Sequence, residues 1–198
     1  MNSTPIAPST PDVHHETSLA HFPVALFSTV MGIAGLALAW QKAAHVLGWS
    51  GLVGQGLAAL AGLVFLVVAG FYGAKLLRHW AAARAEAAHP VKMNFVPAIS
   101  IGILLLATAW GRMAPEVASW MWGLGAALHL VFTLRTMSAW IHHTHFEIQH
   151  LNPAWFIPVV GNIIVPLAGV RFAPAEVSWF FFSIGLVFWI VLFAIVMY

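Results

Sequence analysis

The side chains that could do chemistry in this sequence are few and unevenly placed. Eleven histidines stand beside six carboxylates and eight Lys and Arg, and there is no cysteine. Without a thiol there is no disulfide frame, iron–sulfur cluster or thiolate metal site. Four of the histidines crowd into His142-His143-Thr144-His145-Phe146-Glu147-Ile148-Gln149-His150. Zinc takes His and Glu ligands, but this spacing matches no standard motif, and an interfacial loop that tolerates histidine gives the same string. No metal and no other cofactor is expected. His129 stands apart, near the centre of an apolar run. A histidine there serves as packing glue between helices or as a proton-sensing group in a gate. A bis-His haem would need a second mid-run histidine facing it, and the runs supply none.

The second chemistry is electrostatic. Residues 75–92 carry Lys75, Arg78, His79, Arg84, His89 and Lys92 against the single Glu86. Such a basic collar fixes topology and meets anionic lipid. It also raises the local anion concentration at a pore mouth. The third feature is a break in an apolar stretch: residues 152–170 hold Pro153, Pro158 and Pro166 with Gly161 and Asn162. Proline removes a backbone donor and clashes with the carbonyl four residues back. In a bilayer such a helix persists where neighbours or a water-lined cavity satisfy the freed groups, and interrupted spans point to a transport path. Asn152-Pro153 reads as a cap followed by proline at the first helical position, and Asn94 with Pro97 can be a similar pair. Pro166 would free the carbonyl of Asn162, so a bend is expected between these two residues.

The elements that must position these groups are membrane helices. Hydrophobic residues make up 61% and charged residues 7% of the chain, where a soluble domain carries about 25% charged residues. The fold class is all-α integral membrane. A formal net charge of +2 gives no argument for a nucleic-acid partner. Residues 1–21 lack the basic and apolar regions of a signal peptide and read as a short disordered tail, leaving 22–198 as the transmembrane domain.

Six apolar runs follow, at 22–40, 52–77, 95–110, 117–141, 155–170 and 177–198. A span needs roughly 20 residues, so the third and fifth runs suffice only if their first turns reach into the preceding loops. The long even runs have no internal proline, whereas every odd run has proline at or near its start. Phe22-Pro23, Phe95-Val96-Pro97 and Phe156-Ile157-Pro158 all open from one face, as in a parallel repeat of helical hairpins; the gathering of aromatic and proline residues at membrane interfaces gives the same pattern. On that face lie Lys75, Arg78, Arg84, Lys92 and Arg135; on the other lie Lys42, Arg112 and Arg171. The positive-inside rule then makes the amino terminus cytoplasmic. No Asp, Glu, Lys or Arg lies near the middle of a run, which argues against obligatory ion coupling.

Three segments carry a resemblance. Phe22-Pro-Val-Ala-Leu-Phe27 with Gly32-Ile-Ala-Gly-Leu-Ala-Leu-Ala-Trp40 resembles the first helix of the tellurite-resistance/dicarboxylate transporter family. His89-Pro-Val-Lys-Met-Asn-Phe-Val-Pro-Ala-Ile-Ser100 and His150-Leu-Asn-Pro-Ala-Trp-Phe-Ile-Pro-Val-Val-Gly-Asn162 resemble the openings of its third and fifth helices. That family includes bacterial TehA-type proteins, fungal malate permeases and the slow anion channels of plant guard cells. The resemblance implies ten helices in five hairpins around a central pore, odd helices inside and even ones outside, commonly as trimers. It implies passage of chloride, nitrate or four-carbon dicarboxylates such as malate. Six spans make three of the five hairpins, so the chain reads as part of a longer transporter. The gating phenylalanine that the family carries on its ninth helix has no counterpart here.

The residues expected to line or gate the path are Phe27, Phe95, Pro97, Ser100, Phe156, Pro158, Asn162 and Pro166, with Lys92 and Arg135 attracting anions. The expected function is a membrane channel or facilitator for small anions, not an enzyme, in a bacterial inner membrane, with lipid and further copies of the chain as partners. A non-transporting structural or assembly subunit of a membrane complex is the alternative.

Overall fold

The computed structural model describes residues 18–142 and 152–197. Among them every regular element is helical: α1 (Phe27–Leu47), α2 (Leu52–Arg78), α3 (Trp80–Ala88), α4 (Ala98–Trp110), α5 (Pro115–His142), α6 (Phe156–Val160), α7 (Pro166–Phe172) and α8 (Ala175–Met197). Six stretches among the described residues are long and apolar enough to cross a membrane: Val24–Leu47, Leu52–Arg78, Lys92–Trp110, Pro115–His142, Pro153–Phe172 and Ala175–Met197. The short third and fifth runs do reach back into their preceding loops, which brings them to 19 and 20 residues.

The reach-back takes the same form each time. Before its α-helix every odd span makes a single 3-10 turn, at Val24–Leu26, Lys92–Phe95 and Pro153–Trp155. Asn152 caps the last of these as expected, its Oδ1 accepting from the Ala154 amide at 2.9 Å with Pro153 at the first position. Asn94 does not cap. It sits inside its 3-10 turn and its amide nitrogen donates to the Pro90 carbonyl at 3.0 Å.

The spans pair as three antiparallel hairpins: α1 with α2, α4 with α5, and the interrupted fifth span with α8. Odd spans also lie beside odd spans, α1 against α4 and α4 against α7. Two-thirds of the third span's apolar window is buried (67%), against 17–39% in the other five. A helix apolar on all sides belongs in the middle of the assembly, and α4 occupies that place. Leu104 and Ala107 pack toward Trp122, Val165 and Phe181, while Ile101, Leu105 and Leu106 pack toward Val30, Ala34 and Ala61. The even spans expose Leu63, Leu66, Leu134, Trp179 and Ile190, which suits a hydrocarbon solvent.

Two expectations change here. Of the stretch read as a disordered tail, Ser18–His21 forms a 3-10 turn resting on α2 and α3; residues 1–17 lie outside the described residues. The collar at 75–92 is no open loop, for it contains α3. Nine residues rich in alanine carry too weak an apolar pattern to reveal a helix from sequence, but helix propensity favours one.

Candidate functional site

The fifth span breaks where its residues dictate. Its hydrogen-bond ladder tightens to 3-10 geometry over Gly161–Ile164, between Pro158 and Pro166. Pro166 has no amide for the Asn162 carbonyl, and that carbonyl instead accepts from Val165 N–H at 3.2 Å. The expected free acceptor is therefore re-used one residue earlier, as the tighter helix allows. The Val165 carbonyl takes two donors, Gly169 N–H at 3.1 Å and the Trp122 indole at 2.9 Å. On the other side α8 crosses the break at Gly185. A Cβ built there would stand 2.8 Å from the Ile163 backbone nitrogen and 3.2 Å from the Val160 carbonyl oxygen. Protein thus covers the irregular backbone, the condition under which a bilayer tolerates it.

Beside the break lies a cluster of uncharged polar side chains, all buried. Ser100 on α4 donates to the Pro97 carbonyl at 2.7 Å and lies 2.9 Å from Nδ1 of His129 on α5. With the hydroxyl proton committed to Pro97, the ring proton is assigned to Nδ1. Thr133, one turn beyond His129, places its hydroxyl 2.6 Å from the Pro158 carbonyl and 2.9 Å from the His129 carbonyl. The Asn162 amide donates to that hydroxyl at 3.1 Å and to the Val159 carbonyl at 2.8 Å. Ser100, His129 and Asn162 are 0% exposed. His129 Nε2 and Asn162 Oδ1 have no hydrogen-bond partner among the described residues. The cluster ties α4, α5 and the fifth span together at the interruption.

Of the expected path residues, this cluster gathers Pro97, Ser100, Pro158 and Asn162. Phe27 is elsewhere, buried and edge-on to Phe65 and Tyr72 of α2. Phe95, half-buried, packs on the same cluster as Phe27. Phe156 and Pro166 are half-buried and begin α6 and α7. His129 bonds to a neighbouring helix, as the packing reading holds. Thr133 was absent from the expected set, although its position four residues after His129 puts the two on one helix face. Replacing Ser100 with alanine would leave His129 Nδ1 and the Pro97 carbonyl without this partner in a dry interior. A loss of about 1–3 kcal/mol is expected, read as a lower midpoint of thermal unfolding in detergent. An unchanged midpoint would show that the bond carries no stability.

The basic collar is divided. Lys75 is buried and closed into an ion pair with Glu86 at 2.7 Å, so it adds no free charge to the face. Its ammonium also donates to the Phe22 carbonyl at 2.9 Å, and Glu86 Oε1 accepts from Val24 N–H at 2.9 Å. Both partners grip the opening of the first span, on either side of Pro23. Arg78, Arg84, His89, Lys92 and Arg135 remain exposed. Arg84, Arg135 and Pro97 line a cavity of about 740 Å3 on this face, and Lys92 is not among its lining residues. Among the described residues no three His, Cys, Asp or Glu side chains could hold a metal ion. The histidine string lies outside the described residues from position 143 onward; His142 closes α5, with Nδ1 2.8 Å from the Ser138 carbonyl.

The fold and the cluster define a polytopic helical membrane protein with a proline-interrupted fifth span and a buried cluster of uncharged polar side chains beside the interruption. Residues 21–198 match the family model described as SLAC1, voltage-dependent anion channel. The chain belongs to that family. It is 26% identical over 185 residues to the S-type anion channel SLAH3 of Arabidopsis thaliana, covering 88% of this chain and 29% of the relative. It is 26% identical over 171 residues to the tellurite resistance protein TehA homolog of Haemophilus influenzae, covering 85% and 52% respectively. SLAH2 of Arabidopsis thaliana is 27% identical over 192 residues, covering 88% and 35%. The chain thus spans about half or less of the length of these relatives.

Proposed function

We propose that the six spans contribute to a channel or facilitator for small anions, with the path along the inner faces of the odd spans. The observation that carries this reading is the family match over residues 21–198, together with similarity to proteins named as anion channels. The physical chemistry agrees. No acidic or basic residue lies near the middle of any span, so movement follows the gradient and membrane potential without an intramembrane carboxylate to bind a coupling ion. The three odd spans open on one face, where helix N-termini carry partial positive charge. Lys92 and Arg135 add exposed cations there, and rings of such charge concentrate anions at a mouth.

Within this reading Phe95, Phe156 and Pro166 contribute surface to the path. Pro97, Ser100, Pro158 and Asn162 act from behind it by holding the break in the fifth span in one shape. Phe27 fixes the first span to its outer neighbour. The amino-terminal face is cytoplasmic, by the excess of basic residues there, the membrane is a bacterial plasma membrane, and the protein works as a homo-oligomer.

Flux in liposomes tests the reading. The purified protein should pass chloride, nitrate or malate down a gradient. Lys92→Gln and Arg135→Gln should slow this flux at low ionic strength and much less at high salt, where the Debye length falls to about 3 Å at 1 M. Absence of flux for all three anions would refute the proposal and favour a non-transporting assembly subunit.

A further inference from the structure

We propose that the cavity between α3 and the carboxyl-terminal turns of α5 binds the phosphate headgroup of an anionic membrane lipid. The cavity brings together two arginines far apart in sequence, Arg84 on α3 and Arg135 on α5, in a space of about 740 Å3. Neither has a hydrogen-bond or ion-pair partner among the described residues. Arginine's planar fork matches phosphate oxygens in pairs. The remaining wall is mostly apolar, with Met93, Val96 and Phe132 the largest side chains, and Thr136, Ser138 and His142 add polar groups to it. Two arginines in a mostly apolar lining complement an amphiphile, whose phosphate meets the guanidiniums and whose chain covers the apolar wall. A freely soluble anion would leave that wall wet.

Depth argues the same way. α5 has 28 residues, about 42 Å at 1.5 Å per residue, against a hydrocarbon core of about 30 Å. Its midpoint falls at His129, and Arg135 lies six residues further, about 9 Å along the axis. With α5 centred on the core, the Cα of Arg135 falls inside the core edge, and its long side chain reaches outward to the headgroup layer. An unpaired guanidinium at that depth is expensive, and the nearest abundant anions are the phosphates of the bilayer itself. Basic pockets between membrane helices recognise anionic headgroups on these grounds. The ion pair of Lys75 with Glu86 sharpens the assignment, since it occupies the single carboxylate of residues 75–92 and leaves Arg84 without it as a partner.

Native mass spectrometry of the full chain, released from detergent with equal amounts of phosphatidylglycerol and phosphatidylcholine, tests the site without reference to flux. Phosphatidylglycerol should be retained in preference. Arg84→Gln and Arg135→Gln should each weaken its retention about fivefold, from about 1 kcal/mol per basic residue near the surface. Arg78→Gln, an exposed charge outside the cavity, should leave retention unchanged, and all three variants should keep the wild-type unfolding midpoint. Equal retention of the two lipids, or undiminished phosphatidylglycerol on the Arg84→Gln/Arg135→Gln double variant, would overturn the proposal. Displacement of the lipid by millimolar inorganic phosphate or malate would also overturn it, assigning the cavity to a soluble anion.

Discussion

Glu86→Ala is expected to destabilise the protein by about 3–5 kcal/mol, the cost of stranding one partner of a buried ion pair. The side chains of Lys75 and Glu86 are 3% and 7% exposed, so water does not screen them. The truncation removes the 2.7 Å partner of the ammonium. It also removes the acceptor of Val24 N–H, one of the first-turn amides that a helix cannot satisfy from within. The first span would lose its fixed start, and α3 its attachment to it. A Lys75→Met/Glu86→Met double variant should recover much of the loss, because two apolar side chains leave no stranded charge. Thermal unfolding midpoints of the singles and the double form a cycle that isolates the coupling. Arg84→Ala, an exposed neighbour on the same helix, sets the baseline. If Glu86→Ala melts with Arg84→Ala, the clamp contributes nothing.

The second large effect is expected at Gly185. An alanine Cβ there would meet Ile163 Cγ1 at 2.5 Å, the Ile163 backbone nitrogen at 2.8 Å and the Val160 carbonyl oxygen at 3.2 Å. The isoleucine can swing aside, but the two backbone atoms belong to the interrupted span and cannot. Overpacking of this kind costs typically 1–3 kcal/mol and occasionally more. Here it also lifts α8 off the 3-10 break, exposing irregular backbone to lipid. We therefore expect Gly185→Ala to lose at least about 3 kcal/mol, the upper end of that range, and Gly185→Val to fail to accumulate as folded protein. Gly123 is the control: nothing lies within 4 Å of a Cβ added there, so Gly123→Ala should be neutral or gain up to about 1 kcal/mol of helix propensity. Equal midpoints for the Gly185→Ala and Gly123→Ala variants would mean that α8 is not seated on the break.

These two positions mark the boundary of what the sequence reveals. The break in the fifth span was legible, because proline and glycine act through their own backbone. Gly185 was not, since a glycine in an apolar run looks the same whether it faces lipid or another helix. Likewise Lys75 reads as one more cation at the end of a span. Only the folding-back of α3 brings Glu86 to it and turns a free charge into a closed pair. His129 was legible as a polar group inside the membrane; its partner Ser100, 29 residues away on another helix, was legible only as a small residue on an interrupted span.

The sequence by itself determined that the chain is a helical membrane protein with six spans among the described residues, that its odd spans carry proline at or near their starts, and that one face is richer in cations. Composition, run length and proline chemistry are local properties, and a bilayer enforces them segment by segment. The tertiary structure decided which polar groups meet, that α4 lies in the middle, which basic residues stay free, and that Arg84 and Arg135 share a cavity. Those are pairings between helices, fixed by packing across distances in sequence that no local pattern encodes.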